Sequence, residues 1–216
     1  MSELFAADSP LLRFLTKVAD VMILNLLFVA TSIPVVTLGG SLTALHHTAM
    51  KLARNEPTEV ARDYLQAFRS NLRQGTLLSL TLAGLALVLT AWYVVVEHLG
   101  LPALVQLVLY GVLFLVGFRF VIAALFAFPY LATFENSVWE VLNNSRLMSL
   151  RHLLASLTVL TLTALPIVIT VFYPAVTVYG LLWFAVGFAG VAFVNGVVFT
   201  NVFDRYATPA PAVGAQ

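Results

Sequence analysis

Apolar residues occur in long uninterrupted runs along this chain, and charged residues are confined to the short segments between the runs. Stretches free of Asp, Glu, Lys and Arg cover residues 21–50, 74–96, 98–118, 120–134 and 152–203. A helix needs ~20 apolar residues to cross ~30 Å of hydrocarbon. Runs of this length predict membrane-spanning helices. The last run predicts two of them with a break at Tyr173-Pro174, because proline cannot continue the helical hydrogen-bond ladder.

The first run is long for one span and short for two. The segment Pro34-Val-Val-Thr37-Leu-Gly39-Gly40 in its middle indicates a turn. We therefore predict a span at about 19–36 and a short return helix at about 41–54. The alternative is one kinked helix that leaves residues 41–54 on the far surface. Charge favours the hairpin, because only then do the basic residues before the span and those in 51–73 share one side, as cytoplasmic Lys and Arg do.

The predicted fold class is all-α, a polytopic transmembrane helical bundle with six spans, of which the first two form a short hairpin turned by proline and glycine. We expect residues 1–206 to form a single bundle domain and the Ala/Pro-rich residues 207–216 to be disordered. Both termini are expected to be cytoplasmic, in a multi-pass protein of the cell membrane. The first span is expected to act as an uncleaved signal-anchor.

Two amphipathic cytoplasmic helices are predicted between the spans, over residues 56–73 and 137–150. Val60, Tyr64 and Phe68 recur at i+4 in the first, for which Asn55 is a candidate cap. Ser137 with Glu140 fits a capping box at the start of the second. Either helix is an elbow packed on the bundle or a docking surface. Five arginines are candidates for a face that contacts lipid or a partner: Arg62, Arg69, Arg73, Arg146 and Arg151.

Composition supports this interpretation and excludes several function classes. Of the 216 residues, 61% are apolar or aromatic and 10% are charged, against ~45–50% and ~25% in soluble domains. A soluble enzyme, a nucleic-acid binder and a disordered protein are therefore excluded. The chain has no cysteine, and no phosphate-binding loop, zinc-protease or serine-hydrolase motif is present. We predict that the protein is not an enzyme and needs no cofactor or metal.

Four polar residues that lie within the apolar runs or between two of them are candidate intramembrane positions. Arg119 is either a snorkelling arginine near the cytoplasmic edge or a contact for an anionic substrate. His46 and His47 are neighbours whose side chains point ~100° apart on a helix, so a metal site at this pair is not expected. Asn25 is expected to form an inter-helix hydrogen bond that anchors the hairpin.

Several short motifs, concentrated in the first third of the chain, form a recognisable pattern. They are Ser9-Pro10, Lys17-Val-Ala-Asp20, Asn25-Leu-Leu, Pro34-Val-Val-Thr37-Leu-Gly39, Ala44-Leu45, Lys51-Leu52, Arg54-Asn55, Asp63-Tyr64, Ala67-Phe68, Asn71 and the mid-chain segment from Phe128 to Glu135. On these motifs the chain resembles the YesL-like family of bacterial membrane proteins over about residues 8–206. Arg119 departs from the apolar spans expected of that family.

The resemblance implies a small multi-pass protein of the bacterial plasma membrane with no established activity. Members are often encoded beside carbohydrate ABC-transporter and glycoside-hydrolase genes, which implies an accessory role in oligosaccharide uptake and a carbohydrate ABC-transporter permease as partner. The other partner expected is the lipid bilayer, and no nucleic acid is expected. The family supplies no catalytic residues.

Three functions are compatible with these observations. The first is a non-enzymatic accessory or assembly protein that binds its partner through the cytoplasmic face. The second is a small-molecule facilitator or exporter with a polar path through the bundle, and the third is a membrane partner of a regulatory sensor. A water-wide polar cavity at the midplane favours the second function, whereas a dry, packed bundle favours the first.

Overall fold

The computed structural model describes residues 10–134, 136–177 and 180–206, and within them nearly all of the backbone is helical. The helices are α1 (Pro10–Ser32), α2 (Leu38–Ala53), α3 (Val60–His98), α4 (Ala103–Thr133), α5 (Val138–Arg151), α6 (Leu153–Phe172) and α7 (Phe188–Phe203), with a π-helical turn (Trp183–Gly187) leading into α7. No strand occurs in the described ranges, so the all-α prediction is confirmed for them. The predicted disordered tail, 207–216, lies outside them.

Five helices of the described chain are long and apolar enough to cross a membrane. They are Leu11–Ser32, Val60–His98, Ala103–Thr133, Leu153–Phe172 and Trp183–Phe203. Their outer sides expose large apolar residues, such as Leu87 at 70%, Leu104 at 74% and Phe114 at 70%. Soluble monomers rarely expose apolar patches above a few hundred Å². The chain is therefore a multi-pass membrane protein, and the predicted break after α6 is present.

The predicted hairpin at the start of the chain is a reversal between α1 and α2. Residues 33–37 form the turn, where the Thr37 hydroxyl donates to the carbonyl oxygens of Thr31 at 2.6 Å and Pro34 at 2.7 Å. At the opposite end of the two helices, Lys17 Nζ donates to Asn55 Oδ1 at 2.6 Å. The chain therefore turns back on itself, and residues 41–54 do not lie on a far surface.

The return helix α2 is the centre of the bundle. Ten of its sixteen residues are buried, and α1, α3, α4 and α7 all contact it. Its length of about 24 Å is less than a usual span, and it is not among the five helices counted above. Small residues such as Gly39, Gly40, Ala44 and Ala49 let the neighbouring helices approach closely. The structure therefore supports five spans plus a buried short helix, and the six-span count stays a prediction.

The end of α2 corrects one detail of the prediction. Asn55, whose position suggests a cap for the next helix, instead ends α2 with a positive φ of 54°. Its N–H donates to Leu52 O at 3.2 Å, and the N–H of Glu56 donates to Lys51 O at 3.1 Å. This pair of bonds is a Schellman motif, which satisfies the last free carbonyls of a helix. Asparagine tolerates the left-handed conformation, so it serves here where glycine is usual.

The first predicted amphipathic helix is the beginning of α3 rather than a separate element. One helix of 39 residues, about 58 Å long, joins the amphipathic segment to the following span. The predicted inner face of the segment is present, because Val60 and Tyr64 are buried and Phe68 is half-buried. No proline interrupts residues 60–98, so nothing in the sequence forces a break after residue 73.

The second predicted amphipathic helix is α5, a separate element. The Ser137 N–H donates to Glu140 Oε2 at 2.8 Å and the Glu140 N–H donates to Ser137 Oγ at 3.4 Å, which is the predicted capping box. Val141, Ser145 and Met148 form its buried side. The mid-chain motif of the family resemblance includes Tyr130 on α4. Tyr130 packs in the same core as this side of α5.

Several ion pairs and hydrogen bonds join the helices at one end of the bundle, which we call the basic end. They link Lys17 with Asn55, Lys51 with Asp63, Arg54 with Asp204, and His152 with Tyr206. The start of α1, the end of α2, the start of α3, the start of α6 and the end of α7 therefore lie together.

Candidate functional site

The two sides of α2 face recesses of opposite character. His47 lines a polar pocket of about 740 Å³ between α2, α3 and α4, whereas His46 lines an apolar cavity of about 620 Å³ between α1, α2, α4, α6 and α7. Adjacent helical residues point ~100° apart, so the two histidines diverge as predicted. The polar pocket and the apolar cavity share no lining residue.

The polar pocket lies at the basic end, and most of its lining surface is polar. Its walls combine one ion pair with amides and hydroxyls contributed by successive turns of α3. The lining residues are His47, Lys51, Asp63, Gln66, Ala67, Ser70, Asn71, Gln74, Leu131, Ala132, Thr133, Phe134 and Asn136. Such a surface offers both donors and acceptors to a polar ligand or to a polar segment of another protein.

Short contacts between elements fix the walls of the polar pocket. Lys51 Nζ lies 2.7 Å from Asp63 Oδ2, with both side chains about one-fifth exposed. His47 Nδ1 is 3.1 Å from the carbonyl oxygen of Ala132, which joins α2 to the end of α4. Gln74 Nε2 donates to Asn136 O at 3.2 Å. These three contacts join α2 to α3, α2 to α4, and α3 to the segment before α5, and so they fix the shape of the pocket.

The apolar cavity is almost entirely lined by aliphatic and aromatic side chains. Five of its eighteen lining residues carry polar side-chain atoms, namely His46, Thr163, Thr170, Trp183 and Asn195. The Trp183 N–H donates to Thr170 Oγ1 at 2.8 Å. Asn195 Nδ2 donates to Thr163 Oγ1 at 2.9 Å. A cavity with these walls suits hydrocarbon better than water.

Asn25 is buried and holds α1 to the start of α7. Its Nδ2 donates to the carbonyl oxygens of Trp183 at 2.9 Å and Phe184 at 2.7 Å, and its Oδ1 accepts from the N–H of Ala189 at 3.0 Å. A π-helical turn leaves carbonyl groups without their usual partners, and Asn25 satisfies two of them. Its predicted inter-helix role is correct, but it joins α1 to α7 rather than anchoring the hairpin.

The four predicted turn residues divide into two groups. Pro34 and Thr37 lie in the turn, as expected. Gly39 and Gly40 lie in the first turn of α2, where they allow backbone contact with α3. A Cβ on Gly39 would be 1.9 Å from Gly75 O, and one on Gly40 would be 3.1 Å from the Cα of Leu72. These glycines are needed for the α2–α3 contact rather than for chain reversal.

Arg119 lies near α5 and away from both recesses described above. It lines a groove of about 680 Å³ between α3, α4 and α5, together with Arg146. The remaining candidate arginines, Arg62, Arg69, Arg73 and Arg151, are exposed, and Arg62 is paired with Glu59 at 3.4 Å. The apolar runs predict a position for Arg119 near the inner edge of its span but do not predict that it shares a groove with α5.

Sequence reasoning misses most of the polar pocket. Periodicity assigns Asp63 and Gln66 to the outward side of an amphipathic helix. Lys51 contributes to the sequence prediction only through its positive charge, which helps to set the topology. The available signal is spacing, because Asp63, Gln66, Ser70 and Gln74 recur at intervals of three to four residues and so form one stripe on α3. Periodicity does not predict that α2 and α4 border this stripe, because those are tertiary contacts.

Within the described residues no group of three His, Asp or Glu side chains is placed to hold a metal ion. Among the described carboxyl groups outside the spans, Glu140 has a shifted pKa, which the N–H and hydroxyl of Ser137 hold below its ordinary value. That shift comes from the helix cap, so Glu140 is a structural group.

Comparison with known proteins adds one finding. No curated protein and no solved structure matches the chain. A family model described as "Protein of unknown function, DUF624" matches residues 21–93, which include the second half of α1, all of α2 and most of α3. YesL-like proteins belong to that family, so the match agrees with the N-terminal motifs on which the resemblance rests.

Proposed function

We propose that this protein is an integral membrane accessory or assembly protein that binds another protein through its basic end. The observation that carries the proposal is the polar pocket, since it is a preformed recess with donors and acceptors on its walls. Its Lys51–Asp63 pair is already neutralised, so an uncharged polar segment can enter without stranding a buried charge.

The finer topology belongs to the same proposal. In it α2 makes a short sixth crossing, shielded from lipid by its neighbours, and the basic end with both termini is cytoplasmic. The contacts that join Lys17, Lys51, Arg54 and His152 to one end support it, because Lys and Arg are enriched in cytoplasmic loops.

The partner we propose is the permease of a carbohydrate ABC transporter in a bacterial plasma membrane. This choice is implied by the YesL-like resemblance, and the DUF624 match over residues 21–93 is in keeping with it. A membrane partner of a regulatory sensor would use the same interaction surface and is an outcome of the test below.

The facilitator alternative receives less support from the geometry. Its polar path would need hydrophilic groups through the bundle, yet the central cavity is lined mainly by apolar residues. Arg119, a candidate contact on such a path, lines a different groove. The polar pocket and the apolar cavity lie on different sides of α2, so a polar solute meets no continuous route among the described residues.

A photo-crosslinking experiment in native membranes tests the proposal. A photoreactive amino acid at Gln66, on the pocket rim, should cross-link to a carbohydrate permease, while the same residue at Leu104, which is 74% exposed near the opposite end, should not. Ser70→Trp fills the pocket rim and should reduce permease recovery about tenfold, as losing one interface hot spot does.

Leu80→Trp is the matched control, because Leu80 lies on the same helix and is 61% exposed outside the pocket. Equal permease recovery from Ser70→Trp and Leu80→Trp would contradict the proposed site. Absence of any permease from the Gln66 cross-links would contradict the proposed partner, and a cross-linked sensor kinase would replace it with the third function.

A further inference from the structure

The groove between α3, α4 and α5 combines two arginines with a wall of exposed leucines. Arg119 comes from the middle of α4 and Arg146 from α5. The groove of about 680 Å³ is also lined by Leu82, Leu85, Leu115, Val116, Leu147 and Leu150, among thirteen lining residues that include no Asp or Glu. Positive charge and apolar surface therefore meet with no acidic side chain between them.

Neither arginine has an acidic partner in the described part of the chain. The ion pairs between described residues include Lys51, Arg54 and Arg62 but neither Arg119 nor Arg146. Arg146 donates to the uncharged Asn143 Oδ1 at 3.2 Å. The nearby carboxylate of Glu140 is engaged by Ser137 in the helix cap. Two guanidinium groups beside apolar surface have no counter-charge among the described residues, so an anion from outside the chain would stabilise them.

The walls of the groove decide which anion fits. Leu85 is 46% exposed, Leu115 62% and Leu147 48%, and the first two belong to candidate membrane spans. A small soluble anion would leave these leucines uncovered. A phospholipid covers them with its acyl chains and brings its phosphate to the arginines, whose planar fork matches phosphate oxygens.

Trp139 indicates the depth of the groove in the membrane. It is 78% exposed and lines the same groove from the first turn of α5. Exposed tryptophan is enriched where membranes meet water, which is the level of lipid phosphates. We propose that Arg119 and Arg146 bind the phosphate of an anionic phospholipid, whose acyl chains lie along the leucines of α3 and α4. This site is separate from the polar pocket and does not depend on the proposed function.

Native mass spectrometry of the full-length protein released from detergent tests the site. Phosphatidylglycerol should be retained about tenfold more than phosphatidylcholine, because the choline cation of phosphatidylcholine cancels its phosphate charge and repels the two arginines, whereas phosphatidylglycerol keeps its net negative charge. Arg119→Gln with Arg146→Gln should abolish this preference. Arg69→Gln with Arg73→Gln removes the same charge from exposed positions outside the groove and should leave the preference intact.

Two further measurements separate the remaining explanations. Leu115→Trp keeps both arginines but blocks the apolar wall, and it should also reduce phosphatidylglycerol binding. This variant tests the site even if the double arginine variant fails to fold. Glycerol 1-phosphate alone should bind weakly. Binding of glycerol 1-phosphate as tight as that of the lipid would show a soluble-anion site and overturn the proposal. Unchanged lipid preference in the Arg119/Arg146 double variant, or its equal loss in the Arg69/Arg73 control, would also overturn it.

Discussion

Replacing Gly75 with alanine tests whether backbone contact holds α2 against α3. A Cβ on Gly75 would lie 2.6 Å from the carbonyl carbon of Gly39 and 2.6 Å from the amide nitrogen of Gly40. Non-bonded carbon atoms prefer ~3.5–4.0 Å, so the two helices must separate by about 1 Å. Both neighbouring atoms belong to the backbone, and no change of rotamer relieves the overlap.

The magnitude follows from two opposing effects. Overpacking a close contact destabilises by typically ~1–3 kcal/mol, and the upper value applies here because moving α2 also disturbs its contacts with α1, α4 and α7. Alanine in place of glycine within a helix returns about 1 kcal/mol of helix propensity. We expect Gly75→Ala to lower the free energy of unfolding by about 2 kcal/mol net.

The assay is reversible unfolding in mixed micelles, in which the helical circular dichroism is followed as the fraction of denaturing detergent rises. Gly84→Ala is the matched control, because Gly84 lies on the same helix and a Cβ added there would meet no neighbouring atom within 4 Å. It should be neutral or up to about 1 kcal/mol more stable than the native protein. If Gly75→Ala and Gly84→Ala unfold at the same midpoint, the reasoning about the α2–α3 contact is wrong.

Three further predictions address the hydrogen bonds of the bundle. Asn25→Leu should destabilise by about 2 kcal/mol in the same unfolding assay, because buried carbonyl groups lose their donor, and a neutral result would show that water replaces it. Ser137→Ala should cost about 1 kcal/mol through loss of the helix cap. The Glu140 carboxylate should stabilise the folded protein above its ordinary pKa, and this stabilisation should be lost as the pH falls through its lowered pKa in the folded state. The free energy of unfolding, measured as a function of pH, should therefore depend less on acid in Glu140→Gln than in the native protein. The same acid dependence in both proteins would contradict this prediction. Lys51→Met should destabilise by about 1–2 kcal/mol by leaving a half-buried carboxylate unpaired, and adding Asp63→Leu should restore part of that loss in a double-mutant cycle.

The parts of the fold that the sequence predicts are those with strong local signals. Long apolar runs predict the spans, Tyr173-Pro174 predicts the end of α6, and Ser137 with Glu140 predicts the cap of α5. Each of these depends on residues that are close in sequence, so composition and spacing are sufficient.

The parts that it does not predict depend on partners that are distant in sequence. Gly39 is predicted as a turn residue because glycine favours turns, whereas its role is set by Gly75, thirty-six positions later. Asn55 fits a helix cap from its position, but it ends the preceding helix. Arg119 and Arg146 line the same groove, and nothing in their spacing along the sequence predicts this.

The position of α2 explains why the polar and apolar recesses coexist in so small a bundle. A central helix built of small residues brings its neighbours close on every side, while the larger His46 and His47 project between them in different directions. Backbone contact at Gly39 and the Lys51–Asp63 pair near its end hold α2 against α3, and both contacts oppose its movement. In the function we propose, a partner that enters the polar pocket would meet a preformed surface, which would reduce the ordering that binding requires. Rigidity of this kind suits a protein that presents a surface to a partner better than one that must open and close around a transported solute.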